Sequence, residues 1–396
     1  MNSALNNLKI LDFTTLLPGP YATLMLADLG AEVIKISSGS KSDIVADFPP
    51  FIGGSELSAN QAWLGRNKRN IFLNLKSLDS IEIVKKLIMD YDILIEQFRP
   101  GVMDKLGLGY ETLKKLNPKL IYCSLTGYGQ DGPLKMQAGH DINYLARSGN
   151  MAHAGRKDTG PVLTNMQIAD VAVGSLNSVT GILAAVNYRH ITGEGQYIDV
   201  AMYDGLIPFN SMDGAAFLVS GQEAKREGQR LNGGCIYDFY KTKDGEYLSV
   251  GCLEPKFWKE FCLCIERPEY IEGTVWPEDI DKIKEDIRNI LMGKTKAQWM
   301  EQFKGKDVCV EPVLSLEEAL LQDEQVKARN MVVDVKSSID PRQLVKQLGS
   351  GIKLSKCPAW YDKTGYPLGY HTKEIIKKLG YTDDEIQLMK AEGAFD

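Results

Sequence analysis

The stretch Gly139-His140-Asp141-Ile142-Asn143-Tyr144 sets one of only four histidines in a 396-residue chain into a glycine-led, polar-aromatic turn. Thirty residues later Asp170 opens a helical pattern. An imidazole and a carboxyl group together can take a proton off a carbon next to a carbonyl and return one to its other face. Free imidazoles titrate near ~6.5 and free aspartates near ~3.9, so such a pair works at neutral pH if burial raises the carboxyl. A helix start acts the other way, because its dipole favours the anion. Free N–H groups at that helix start are candidates to hold an enolate oxyanion. Each residue also has a plainer role open to it, His140 as a satisfied loop or core histidine and Asp170 as an N-cap.

Two basic clusters accompany this pair, Arg66-Asn67-Lys68-Arg69 and the run from Arg99 to Lys105. Either alone reads as solvated surface. Both stand next to predicted strand ends, where open α/β sheets bind ligands, and together they suit an anionic carrier such as coenzyme A. Other chemistries lack their residues. The first strand–helix junction, Thr14 to Pro20, has no G-x-G-x-x-G, and the chain holds no G-x-x-x-x-G-K-[ST] and no G-x-S-x-G. The seven cysteines are scattered, and Cys262 with Cys264 is poor zinc spacing, so no metal site and reduced thiols are expected. A net charge of −6 argues against nucleic-acid binding. Neither a signal peptide nor 18 consecutive apolar residues is visible, so a cytoplasmic protein without a membrane partner is expected.

The elements that must position these residues alternate. Leu8–Phe13, Ala31–Ile36, Asn70–Leu75, Asp92–Gln97, Leu120–Thr126 and Tyr197–Met202 read as strands. Tyr21–Leu29, Leu78–Met89, Tyr110–Leu116 and Asp170–Tyr188 read as helices between them. Alternation of this kind predicts a mostly parallel sheet covered by helices. The polar stretch Gly221–Gly234 reads as a mobile crossing. A hairpin around Asp244-Gly245 and helical sequence from about Glu278 to Phe303 then predict a smaller α+β domain. Two capped helices close the chain, the last with a capping box from Thr382 to Glu385. The expected division is a large domain at 1–205, a crossing at 206–235, a small domain at 236–320 and a C-terminal segment at 321–396.

The segments LKILDFTTLLPGPYATLMLADLGAEVIKI, NKRNIFLNL, FRPGVMDKLGLGY, LTGYGQDGP, GHDINY, ADVAVG, TGEGQYIDVAMYDG and LEPKFW carry a resemblance running nearly end to end. The chain resembles the class III CoA-transferase family, which includes carnitine and bile-acid CoA-transferases, formyl-CoA transferase and α-methylacyl-CoA racemase. The resemblance implies an α/β fold: a Rossmann-like large domain, a smaller α+β domain, a C-terminal segment returning to the large domain, and an interlocked homodimer. It implies an acyl-CoA substrate, no tightly bound cofactor, and CoA contacts from Arg66, Lys68, Arg69, Gln97, Phe98, Arg99, Met103 and Lys105. In the racemase branch His140 and Asp170 exchange the α-proton while Glu254 orients the histidine. In the transferase branch the Asp170 carboxylate is a nucleophile that carries an acyl anhydride and then a CoA thioester. The presence of all three residues favours the racemase, with the transferase as the alternative. Two departures stand out: Met166 sits where racemases carry an asparagine. Ser37-Ser38-Gly39-Ser40-Lys41 replaces the usual phosphate-contacting residues, with Lys41 as the available substitute.

Overall fold

The computed structural model describes residues 3–40, 43–272 and 279–395; Lys41 and Glu278 lie outside them. The chain forms two compact units. One comprises Met1–Leu145, Met166–Leu206 and Gln325–Asp396, the other Ala146–Asn165 and Ile207–Glu324.

In the first unit six strands form one parallel sheet: β1 (Lys9–Phe13), β2 (Glu32–Ser37), β3 (Arg69–Phe72), β4 (Ile93–Glu96), β5 (Ile121–Thr126) and β6 (Tyr197–Ala201). Their order is β3-β2-β1-β4-β5-β6. Every residue of β4 and β5 is buried, as a parallel sheet covered on both faces requires. Leu11, Ile34, Ile71, Leu94 and Tyr122 lie in one core with Ile83, Val84 and Leu87 of the helix Leu78–Leu87. The helices Pro18–Asp28 and Ile168–Thr192 pack on each other and on the sheet. The chain runs outward from β1 to β3 and then returns to begin again at β4. In sheets of this order the carboxyl ends of the strands at that reversal, β1 and β4, are the usual ligand position.

The helix Ile168–Thr192, 25 residues, is the one described helix long and apolar enough to cross a membrane by length and composition alone. This differs from the sequence expectation, which required an unbroken apolar run. Ser178, Val179, Ile182, Ala185, Val186 and Arg189 form a buried stripe along it at helical spacing, which is how a core helix meets a sheet.

The C-terminal residues complete the first unit. Ile375, Ile376, Ile386 and Met389 join the sheet core, and the Asn74 and Ser80 side regions bond to the last turn through Ala394. The Thr382–Glu385 capping box is present. In the second unit β7 (Asp238–Lys241), β8 (Tyr247–Val250) and β9 (Val310–Pro312) form an antiparallel sheet. The turn joining β7 to β8 holds Gly245 at φ +85°, a conformation that glycine adopts without steric penalty. Trp258, Phe261, Ile287, Trp299 and Phe303 from three helices cover this sheet. Residues 146–165, expected within the large domain, belong here instead because Arg156 pairs with Asp238 at 2.6 Å and Glu227 at 2.9 Å. The polar stretch read as a mobile crossing is tied down as well. Arg226 donates to the Ala154 carbonyl at 2.8 Å and Asn232 to that of His153 at 3.0 Å.

Candidate active site

His140 lies just before the helix Asp141–Arg147 and is exposed. Its backbone is held rather than its ring: the N–H donates to Asn143 Oδ1 at 3.0 Å, and the carbonyl accepts from the Asn143 N–H at 2.8 Å. Tyr144 anchors the turn from below, donating its hydroxyl to the Gly139 carbonyl at 2.6 Å. The glycines have a steric reason. A Cβ on Gly139 would stand 2.7 Å from the Tyr144 ring, and one on Gly127 2.5 Å from its hydroxyl. His140 is therefore not a core histidine; the motif builds a rigid turn that leaves its imidazole outside.

Asp170 is the third residue of a π-helical segment, Ile168–Ser175, that opens the long helix. π-Helical turns are rare and recur at functional sites. Its side chain does not cap the helix. That role falls to Asp141, whose Oδ1 accepts the N–H groups of Ala169 at 2.6 Å and Asp170 at 3.1 Å. The Ile168 and Val171 N–H groups bond to the Met166 and Gln167 carbonyls. The free donors expected here for an oxyanion are thus already occupied, and that expectation is corrected. Asp141 had no role in the sequence reading, although it sits inside the motif next to His140.

Burial first, and the Asp141 charge second, push the Asp170 carboxyl up to about 6, while His140 pulls the other way. The tension between helix dipole and burial is decided for burial, because Asp141 has already neutralised the donors that would stabilise the Asp170 anion. Tyr144 is pushed up to about 12, again by burial first and by Asp170 next, so it stays a neutral donor. Ser175 fixes the helix start, donating to the Pro18 carbonyl at 2.6 Å. Near neutral pH the site thus offers a carboxyl group that can take or give a proton with an imidazole acting on it.

The basic residues divide sharply. Arg66 is 1% exposed. Its Nη2 pairs with Asp28 at 2.5 Å and its Nη1 donates to Gln347 Oε1 at 2.9 Å and the Leu348 carbonyl at 3.0 Å. Lys68 is buried too, donating to the Pro20 carbonyl and Thr23 Oγ1, each at 2.7 Å. Burial lowers it to about 8 against the pull of Asp12. Both cations make their hydrogen bonds inside the fold. Arg69 is half-exposed and pairs with Glu32 at 3.3 Å. Gln97 and Phe98 follow directly on β4, and the Gln97 Oε1 is buried without a hydrogen-bond partner. Arg99 and Lys105 are exposed, and Met103 is buried between them. Glu254, in the second unit, is exposed at the N-cap of the helix Pro255–Cys264 with no side-chain cap bond.

Comparison with known proteins agrees with this architecture. Over 396 residues the chain is 34% identical to the alpha-methylacyl-CoA racemase of Homo sapiens, covering 98% of this chain and 97% of that one. It is 32% identical to the succinyl-CoA:glutarate CoA-transferase of Mus musculus, covering 99% and 90%. A solved CaiB/BaiF family protein from Brucella suis superposes with a TM-score of 0.83 at 27% identity, covering 96% of this chain and all of that one. The sequence profile of CoA-transferase family III matches residues 5–372. With the parallel sheet and this agreement over almost the whole length, the chain belongs to CoA-transferase family III.

Proposed function

We propose that this protein is an α-methylacyl-CoA racemase-like enzyme that epimerises a 2-methyl-branched acyl-CoA by two-base proton transfer. The reading rests on one observation, the Asp170 carboxyl raised to about 6 with His140 as the basic group acting on it. Asp170 as carboxylate removes the α-proton and leaves an enolate of the thioester. His140 as imidazolium delivers a proton to the opposite face. Asp170 is then the carboxylic acid and His140 the neutral imidazole, which is the pair needed for the reverse direction.

Coenzyme A, as part of the substrate, is held in this reading by Arg69, Gln97, Phe98, Arg99, Met103 and Lys105. The orphaned Gln97 Oε1 supports it, since a buried acceptor without a donor is satisfied by a ligand N–H. Arg66 and Lys68 drop out of the phosphate-holding set because both are committed inside the fold. The test uses single-enantiomer 2-methylacyl-CoA in deuterated water without an acceptor acid. Deuterium at the α-carbon with loss of optical purity is the expected result. The second reading, an acyl-CoA:carboxylate CoA-transferase with Asp170 as nucleophile, is favoured by the CoA-transferases among the relatives. No deuterium uptake, together with CoA transfer to an added acid, would establish it instead.

The pH profile follows from the raised carboxyl. Below about 6 Asp170 is protonated and cannot act as the base. In the direction where Asp170 removes the proton, kcat/KM is expected to fall about tenfold per pH unit on the acid side. A profile that stays flat down to pH 4.5 would contradict the assignment. The assembly is proposed to be an interlocked homodimer. The helix Ser211–Ser220 has no buried residue and presents Leu218 and Val219 at 84% and 91% exposure, an apolar surface that calls for a partner. Light scattering should therefore give twice the 44.0 kDa chain mass, and a single-chain mass would refute it.

A further inference from the structure

We infer that Asp141 is a positioning residue: its carboxylate ties the backbone turn that carries Asp170 to the residue next to His140, and so sets both partners in register. The same Oδ1 accepts two successive N–H groups, those of Ala169 and Asp170, at 2.6 and 3.1 Å. Asp141 is covalently adjacent to His140, so its bonds to the Asp170 turn fix that turn against the His140 backbone. A carboxylate holding backbone N–H groups makes charge-assisted bonds, stronger than neutral ones. Placing a charge on that side chain does a second thing. The groups acting on Asp170 are Asp141 and His140, and Asp170 in turn acts on Tyr144. Of these, Asp141 alone pushes the Asp170 carboxyl towards neutrality, in the same sense as burial. One side chain thus supplies the seat and part of the tuning. A cap of purely structural purpose would need only the seat.

The two functions separate by substitution. Asp141→Asn keeps an oxygen acceptor for the two N–H groups and removes the charge. Asp141→Ala removes both. The catalytic consequence rests on the proton-transfer reading above, whereas the effect on Asp170 titration does not. The experiment therefore measures two things on the full chain: α-deuterium exchange across pH, and the carbon-13 carboxyl titration of Asp170, assigned by its loss in Asp170→Asn. For Asp141→Asn the Asp170 titration and the acid limb of exchange are expected to move together to lower pH, by at least about half a unit. For Asp141→Ala kcat is expected to fall roughly 10- to 100-fold with KM changed far less, as for a misplaced catalytic group. An unmoved Asp170 titration in Asp141→Asn overturns the inference, and so does parental kcat in Asp141→Ala. Should Asp141→Ala not fold, the asparagine variant decides alone. Should the parent protein show no exchange at all, the proton-transfer reading fails, while the titration still decides what Asp141 does to Asp170.

Discussion

Asp170→Asn is expected to lose both α-proton exchange and CoA transfer, whereas His140→Ala is expected to lose exchange alone. Asparagine has no proton to take or give near neutral pH and is no nucleophile, so either chemistry fails at that position. The loss of exchange should be about 10²- to 10⁴-fold in each variant, the usual contribution of a positioned acid or base. The discriminating result is His140→Ala retaining transfer of CoA to an acceptor acid, since an aspartyl anhydride needs the carboxylate and not the imidazole. Exchange surviving in both single variants would sink the two-base mechanism. Folding can be checked with the same protein. Because the native carboxyl is raised to about 6, the ionised form is favoured less in the fold than in the unfolded chain. The stability attached to the neutral form is complete below about pH 4 and is lost as pH rises through 6. Asp170→Asn should thus melt higher than the parent above pH 6, with the difference vanishing in acid. A lower melting temperature at pH 7.5 would show that burial does not set the carboxyl.

The second large effect concerns stability. Arg66→Met is expected to destabilise the protein by about 3–5 kcal/mol, because it leaves Asp28 buried without its partner. At the size of the first unit this corresponds to a fall of roughly 10 °C in Tm. Burial already pushes the Asp28 carboxyl up, and Arg66 is the main group holding it down, so the orphaned carboxyl would take up a proton. The same guanidinium bonds to Gln347 and Leu348 and lies 4.8 Å from the Tyr361 ring centre, so the C-terminal segment loosens with it. Arg66→Met with Asp28→Asn should recover part of the loss, since neither position then leaves an unpaired charge buried. KM for acyl-CoA is the contrasting readout. A large rise in KM with an unchanged Tm would return Arg66 to the phosphate-holding set.

These two residues show where reading along the chain succeeds and where it stops. The alternation of strands and helices was legible because parallel strands buried on both faces must be short apolar runs, and β4 and β5 are. Gly139 was legible as the lead of a turn, though its reason, the Tyr144 ring against its Cα, is a contact across five residues. The Thr382–Glu385 box was legible because a capping box is made within four residues. Arg66 and Arg99 were indistinguishable in sequence, each a cation beside a strand end. Only folding separates them: Asp28 and Gln347 close around one, and the other is left exposed.

What the sequence determined alone were the local patterns: which segments are strand or helix, which turns need glycine, and which residue types can move a proton. The resemblance it carries then led to the family. The tertiary structure decided what those residues experience. Asp141 is 29 residues from the Asp170 N–H that it accepts, and that bond takes up the donors expected to favour the Asp170 anion. Burial, which raises the same carboxyl, is a property of the assembled helix and sheet. A pKa and an ion-pair partner depend on distance through space, which the order of residues along a chain does not record.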